Sequence, residues 1–260
     1  MYKKKSLGQH FLHNPHYLGI LADAAEIQKG DTVVEIGPGE GALTEVLLQR
    51  KASVIAVEKD ARLIPLLQEK FAQEIKNKQL KIAEGDALEF KIANDLKKKR
   101  GGYKVVGNIP YYITGALLRK YVTDEAQPNT LVFLIQKEVA ERIARSKKES
   151  LLSLSIKAYG APTYIKTVPR GAFNPPPAVD SAILLVSNIS RKNFTNKKHE
   201  ERFFALLHAG FAQKRKLLRR NIEQVLGTNA EAALVHANIP LNARAEDVAL
   251  SQWLLLAKYN

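Results

Sequence analysis

The chain has 260 residues, with 40 Lys and Arg against 26 Asp and Glu, so its formal net charge is +14. Hydrophobic residues at 45% and charged residues at 25% exclude a disordered or fibrous protein. The absence of cysteine excludes a disulfide framework, thiol catalysis and thiolate zinc sites, and no metal is expected. No apolar run approaches the ~18 residues needed to span a bilayer, and the basic start MYKKKSLGQHFL lacks the apolar stretch of a secretory signal. A soluble, cytoplasmic monomer without a membrane partner is expected.

Asn14-Pro15 pairs a cap with a first-turn proline and opens a helix that runs to about Glu26. Short β-branched runs then predict strands over 32–37, 53–58, 80–86, 103–108 and 130–136. Each is followed by a helix-like segment, over 41–50, 60–76, 92–99, 114–122 and 137–145. This alternation predicts an α/β fold with a mostly parallel sheet covered on both faces. Within 162–187 two further strand-like runs flank Pro175-Pro176-Pro177, which cannot sit in a helix or a central strand, and a hairpin-like end to the sheet follows. Beyond Arg191 helical spacing predicts helices over 198–210, 214–226, 230–237 and 245–258. The expected division is an α/β domain over 1–190 and a small all-α domain over 191–260.

The charge is concentrated. Residues 191–220 hold ten basic side chains against Glu200 and Glu201, whereas 221–260 carry two basic and four acidic groups. Such density suits a polyanion, because each phosphate neutralised releases condensed counterions. The plainer alternative is a solvated helix face. In a helix over 214–226, Leu217 and Leu218 would face the core, with Lys214, Arg215, Lys216, Arg219 and Arg220 on the exposed side.

Two motifs carry chemistry. The first is Glu35-Ile36-Gly37-Pro38-Gly39-Glu40-Gly41, between the first strand and its helix. Glycines there allow a tight turn and close approach of a ligand to the helix N-terminus. Glu58 ends the next strand, 21 residues after Gly37, where a carboxylate can accept bonds from both hydroxyls of a ribose. A nicotinamide dinucleotide prefers G-x-G-x-x-G, and Glu40 would oppose a pyrophosphate; a cationic sulfonium tolerates that acid better. Glu35 completes E-x-G-x-G, which resembles the S-adenosylmethionine turn of Rossmann-like methyltransferases. Asp86, after the third strand, is placed either to accept a bond from an adenine amine or simply to form a turn.

The second motif, Asn108-Ile109-Pro110-Tyr111, stands at the end of the fourth strand and resembles the Asn/Asp-Pro-Pro-Tyr/Phe loop of methyltransferases acting on exocyclic amines. An adenine amine is a poor nucleophile because its lone pair is delocalised into the ring. The Asn108 amide oxygen and a carbonyl of Ile109-Pro110 can accept both amine hydrogens and turn the lone pair toward a methyl carbon. Pro110 stiffens the loop, and Tyr111 offers a face to an unstacked base. Phe173, held by the prolines that follow, closes the other face of that base or plugs the sheet edge.

Together these residues resemble the ribosomal RNA adenine dimethylase family along nearly the whole chain, from Gly8-Gln9-His10-Phe11-Leu12 to Phe173–Ser181. The resemblance implies a Rossmann-like, S-adenosylmethionine-dependent methyltransferase sheet with a small helical C-terminal domain. It implies that His10, Leu12, Gly37, Gly39, Glu58, Asp86 and Asn108 line the cofactor site. Asn108, Pro110, Tyr111 and Phe173 would perform catalysis, with the two rings sandwiching the target adenine. Pro175–Ala182 and Phe211–Asn221 are similar to the branch that dimethylates two adjacent adenosines near the 3′ end of 16S rRNA, in a pre-30S particle. Two departures stand out: His10 where many members have Asn, and Tyr112-Ile113-Thr114-Gly115 where Asn-Ile-Ser-Thr is common. The alternatives are an Erm-type enzyme acting on large-subunit rRNA and a non-catalytic RNA-binding assembly factor.

Overall fold

The computed structural model describes residues 10–91, Leu96 and residues 102–259. The expected helix over 92–99, Leu96 excepted, and Gly8-Gln9 of the N-terminal motif lie outside these. The chain divides into two compact units, Met1–Ala140 with Ala161–Ile189, and Glu141–Gly160 with Ser190–Asn260.

The first unit is built on a seven-stranded sheet. Its strands are β2 (Thr32–Ile36), β3 (Ser53–Glu58), β4 (Leu80–Glu84), β5 (Lys104–Asn108), β6 (Thr130–Gln136), β7 (Ala161–Val168) and β9 (Ser181–Ser187), in the order β4-β3-β2-β5-β6-β9-β7. The five strands from β4 to β6 run parallel. The last two pair antiparallel, with a bulge between Tyr164 and Lys166. Apolar runs such as Val33-Val34 and Leu131–Ile135 are fully buried because helices cover both faces of a parallel sheet. From β2 the chain moves outward to β3, then returns to place β5 on the other side of β2. Where strand order reverses in this way, a crevice opens at the carboxyl ends of the strands.

Helix Pro15–Ala24 begins as expected, with the Asn14 side chain accepting the His16 N–H. The single helix expected over 60–76 is two, Ile64–Lys70 and Ala72–Lys76. Asp60 turns the chain first, accepting the Arg62 N–H, and Phe71 leaves helical geometry between the two. The Phe71 ring lies where a Cβ on Gly41 would come within 2.5 Å of it, so the glycine turn and this break fit each other. A pairing without an obvious sequence signal is the two-stranded ribbon of β1 (Phe11–Leu12) with β8 (Phe173–Asn174), which joins segments from opposite ends of this unit.

The second unit is helical: Leu151–Lys157, Lys197–Phe211, Leu218–Leu226, Ala230–His236 and Leu250–Leu256. Its core holds Phe203, Leu206, Leu207, Leu218, Ile222, Leu234 and a fully buried Trp253, which packs so closely that a Cβ on Gly210 would lie 2.4 Å from its ring. Residues 141–160, expected in the first domain, group here instead. Ser150 caps Leu151–Lys157, Tyr159 donates its hydroxyl to Glu200, and Asn193 Nδ2 donates to the Ala158 carbonyl at 2.8 Å. The expected helix over 214–226 starts only at Leu218, so Lys214, Arg215 and Lys216 lie exposed in the preceding turn. The segment expected as a helix over 245–258 is a 3-10 turn, Ala245–Asp247, followed by Leu250–Leu256.

Candidate active site

At the carboxyl ends of β2, β3, β4 and β5 lies an open cleft of about 840 Å³. His10, Gly37, Gly39, Glu58, Asp86, Asn108, Pro110, Tyr111 and Phe173 all line it, so most of the residues picked out by motif meet in one place. Leu12 does not reach this cleft. It is buried and lines a smaller neighbouring cavity with Glu35, Gly37 and Asn108. Phe11, Lys59, Asp60 and Tyr112 also line the main cleft, although no motif singles them out as site residues.

The glycine turn is shaped by close approach. Gly37 and Gly39 have φ of +66° and +60°, in the left-handed region where a side chain is disfavoured. A Cβ on Gly39 would meet the Phe11 ring at 2.7 Å, and one on Gly37 would sit 3.7 Å from the Asn108 carbonyl oxygen. The carboxylate of Glu58, at the end of β3, is buried and accepts the Gly39 N–H at 3.1 Å and the Asp60 N–H at 2.8 Å. Burial pushes its pKa above the ordinary carboxylate value, against the pull of these N–H donors. Glu35, beneath the turn, accepts the Thr44 hydroxyl at 2.6 Å with Oε2, while its buried Oε1 has no partner. Burial raises Glu35 to about 8, the Thr44 bond opposing and the Glu58 charge adding to the rise.

Asp86 keeps one oxygen on the Leu88 N–H at 2.8 Å and the other on Lys59 Nζ at 2.7 Å, and the Lys59 bond is the main cause of its lowered pKa. Asn108 donates Nδ2 to the His10 carbonyl oxygen at 2.8 Å, which leaves Oδ1 as its acceptor for a ligand. Pro110 leads into a 3-10 turn, Tyr111–Ile113. The Tyr111 hydroxyl shares a 2.8 Å bond with Ser181 Oγ. Tyr112 is 64% exposed at the cleft mouth. Phe173 lines the cleft and is also buried, in β8 where it pairs with Leu12, so both of its expected roles stay open.

The residues fit a cationic nucleoside cofactor. Carboxylates of Glu58, Asp60 and Asp86 line the cleft, the glycines leave room at the backbone, and Glu35 offers a buried oxygen without a partner. Among the described residues no group of His, Asp or Glu is arranged to hold a metal. No helix among them is long and apolar enough to cross a membrane.

The sheet order, the glycine turn and the strand-end cleft define a Rossmann-like methyltransferase. The model of the ribosomal RNA adenine dimethylase family matches residues 1–260, and the chain belongs to that family. A ribosomal RNA small subunit methyltransferase A from Dehalococcoides mccartyi is 40% identical over 257 residues, covering 97% of this chain and 87% of that one. The protein of the same name from Fusobacterium nucleatum is 35% identical over 261 residues, covering 98% and 96%. Among solved structures, a dimethyladenosine transferase from Plasmodium falciparum superimposes with a TM-score of 0.77 at 27% identity, covering 95% of this chain and 96% of that one. The 23S rRNA methyltransferase ErmE gives 0.76 at 26% identity, covering 95% and 98%. The cofactor is S-adenosyl-L-methionine and the substrate is ribosomal RNA.

Proposed function

We propose that this enzyme dimethylates the N6 amines of two adjacent adenosines near the 3′ end of 16S rRNA, working as a cytoplasmic monomer on a pre-30S particle. The observation that carries the chemistry is the Asn108 amide, whose nitrogen is tied to His10 so that its oxygen is the atom offered to the cleft. The small-subunit substrate is supported by relatives of that name at 35–40% identity, against 26% for the large-subunit enzyme ErmE.

Bound S-adenosyl-L-methionine supplies an electrophilic methyl group on a sulfonium. Glu58 would accept bonds from its ribose, Asp86 would hold its adenine end, and the Gly37–Gly39 turn would leave room for its amino-acid tail. Asn108 Oδ1 accepts one hydrogen of the target amine. The Pro110 carbonyl is already engaged by the Ile113 N–H and the Thr114 hydroxyl, so the Ile109 carbonyl accepts the other. Both bonds draw nitrogen toward tetrahedral geometry. Tyr111, anchored through Ser181, supports the face of the base, and Phe173 closes the slot from β8. No side-chain base is required, because the methylated ammonium is acidic enough to lose its proton to water.

The test is transfer of labelled methyl groups to undermethylated small-subunit particles, with mass spectrometry of the nucleosides and primer extension to place them. Dimethyladenosine at two adjacent positions of 16S rRNA is expected. Modification confined to large-subunit rRNA would establish the Erm-type activity instead. Asn108→Ala should abolish transfer while RNA binding is retained, and near-normal turnover would refute the loop chemistry.

A further inference from the structure

Lys120 directs its charge at carbonyl groups. It lies on helix Thr114–Thr123, which continues directly from the 3-10 turn Tyr111–Ile113. Its Nζ donates to the Leu88 carbonyl oxygen at 2.8 Å and to the Phe90 carbonyl oxygen at 2.5 Å, both in the turn after β4. An ammonium has three donors, so one side chain can hold two carbonyls at once. The side chain is half-buried, and burial draws its pKa below the ordinary lysine value, against the opposing charges of Asp124, Asp86 and Glu89. The donors of the same turn are held by Asp86. Its Oδ1 accepts the Leu88 N–H at 2.8 Å, and its carbonyl oxygen accepts the Glu89 and Phe90 N–H groups at 2.9 Å each. Asp86 and Ala87 line the cleft, whereas Lys120 stands outside it.

We propose that Lys120 is a positioning residue for the adenine end of the cofactor, acting through Asp86. Residues 86–90 have their backbone donors fixed by Asp86 and two of their acceptors fixed by Lys120. Without the ammonium, two partly buried carbonyls lose a charged donor, and the turn is free to shift. One oxygen of the Asp86 carboxylate is bonded within that turn, so its aim follows the turn. The role rests on the assignment of Asp86 to the adenine given above. It adds a residue on the helix after β5 that sets a contact made from the end of β4.

Lys120→Met keeps the length and the apolar stem of the side chain and removes the ammonium, whereas Lys120→Arg keeps charge and donors. Each is made alone and together with Asp86→Ala. Calorimetry gives the Kd of S-adenosyl-L-methionine, and methylation of rRNA particles gives its KM and kcat. Urea unfolding without cofactor gives the stability of each variant, which a merely structural brace would lower in both backgrounds alike.

Lys120→Met should raise Kd and KM for S-adenosyl-L-methionine about 5- to 30-fold, within the range of coupling inside one hydrogen-bonded network, with kcat at saturating cofactor within about threefold. Lys120→Arg should recover part of that affinity. Beside Asp86→Ala, Lys120→Met should cost less than about twofold further in Kd, because the residue it acts through is gone. Undiminished loss of affinity in the double variant would overturn the proposal and leave Lys120 as a general brace. A fall in kcat with Kd unchanged would also overturn it, placing the effect on the helix that carries Lys120. Should Lys120→Met not fold, Lys120→Arg reads the same coupling: a Kd change that persists in full beside Asp86→Ala overturns the proposal. If Asp86→Ala leaves cofactor affinity unchanged, the adenine assignment is wrong and the proposal falls with it. If Asp86→Ala weakens binding while Lys120→Met does not, only the positioning role is refuted.

Discussion

Replacing Glu58 with glutamine separates two jobs that one carboxylate performs. The structure shows the first: Oε2 accepts the Gly39 N–H and Oε1 the Asp60 N–H, so the side chain holds the glycine turn against the end of β3. The proposed second job is to accept the ribose hydroxyls. Glutamine has one carbonyl oxygen, and its NH2 would face one of these backbone donors. A buried donor left without an acceptor costs about 1–3 kcal/mol of stability, partly offset because the amide has no charge to desolvate. Losing hydrogen bonds to a charged acceptor should weaken S-adenosyl-L-methionine by about 1.5–3 kcal/mol, or roughly 10- to 150-fold in Kd. Urea unfolding without cofactor reads the first quantity and calorimetric titration the second. Lowered stability with unchanged affinity would refute the ribose bonds and leave Glu58 as a brace for the turn.

Glu35→Gln should change the pH dependence of stability. The folded protein keeps the Glu35 proton to about pH 8, whereas an unperturbed carboxyl group gives it up near 4.5. The folded state therefore binds more protons between those values, and wild-type stability falls as pH rises through them. The variant, which never ionises, should gain on wild type between about pH 5 and about pH 8 in urea midpoints, and parallel curves would contradict this. Replacing Lys214, Arg215 and Lys216 together with alanine should flatten the dependence of log K on log salt for RNA by about 0.7–0.9 for each phosphate no longer neutralised, without altering cofactor affinity; an unchanged slope in filter binding would move the RNA surface elsewhere. Arg219→Ala should act chiefly on stability, measured by thermal unfolding, because its guanidinium is paired with Glu231 and lies near Glu223; a salt-slope change as large as that of the triple variant would refute this.

The candidate cleft was largely legible because its parts sit at strand ends, and strand ends are marked by local sequence. Glycines after β2, a carboxylate closing β3 and Asn108 closing β5 each announce themselves within a few residues. The ribbon between Phe11–Leu12 and Phe173–Asn174 was not legible, since two residues carry no periodicity and the pairing spans most of the chain. That one pairing accounts for the displacement of Leu12 from the main cleft and for the way Phe173 is buried while still lining it. Arg219 misled for a different reason. Helical spacing placed it among exposed basic residues, but its acidic partner Glu231 belongs to the next helix, and a charge count along one segment cannot see it.

A protein of net charge +14 that uses a cationic cofactor and an anionic substrate has to keep the two fields apart. Three carboxylates line the cleft: Glu58 and Asp60 are buried there, and Asp86 is partly shielded. Two bases stand against these acids, Lys59, which also lines the cleft, on Asp86 and Arg62 on Asp60, so part of the acidic field is cancelled. Buried carboxylates act at short range through a poorly screening interior, while exposed charges are screened within about 8 Å at physiological salt. A cationic cofactor held in the cleft would feel chiefly the buried carboxylates, and RNA phosphates outside it chiefly the exposed charges. Glu58 is the carboxylate without a basic partner among these ion pairs, and its oxygens are held instead by backbone N–H groups. Neutral donors leave its charge uncancelled, which suits the ribose acceptor proposed for it.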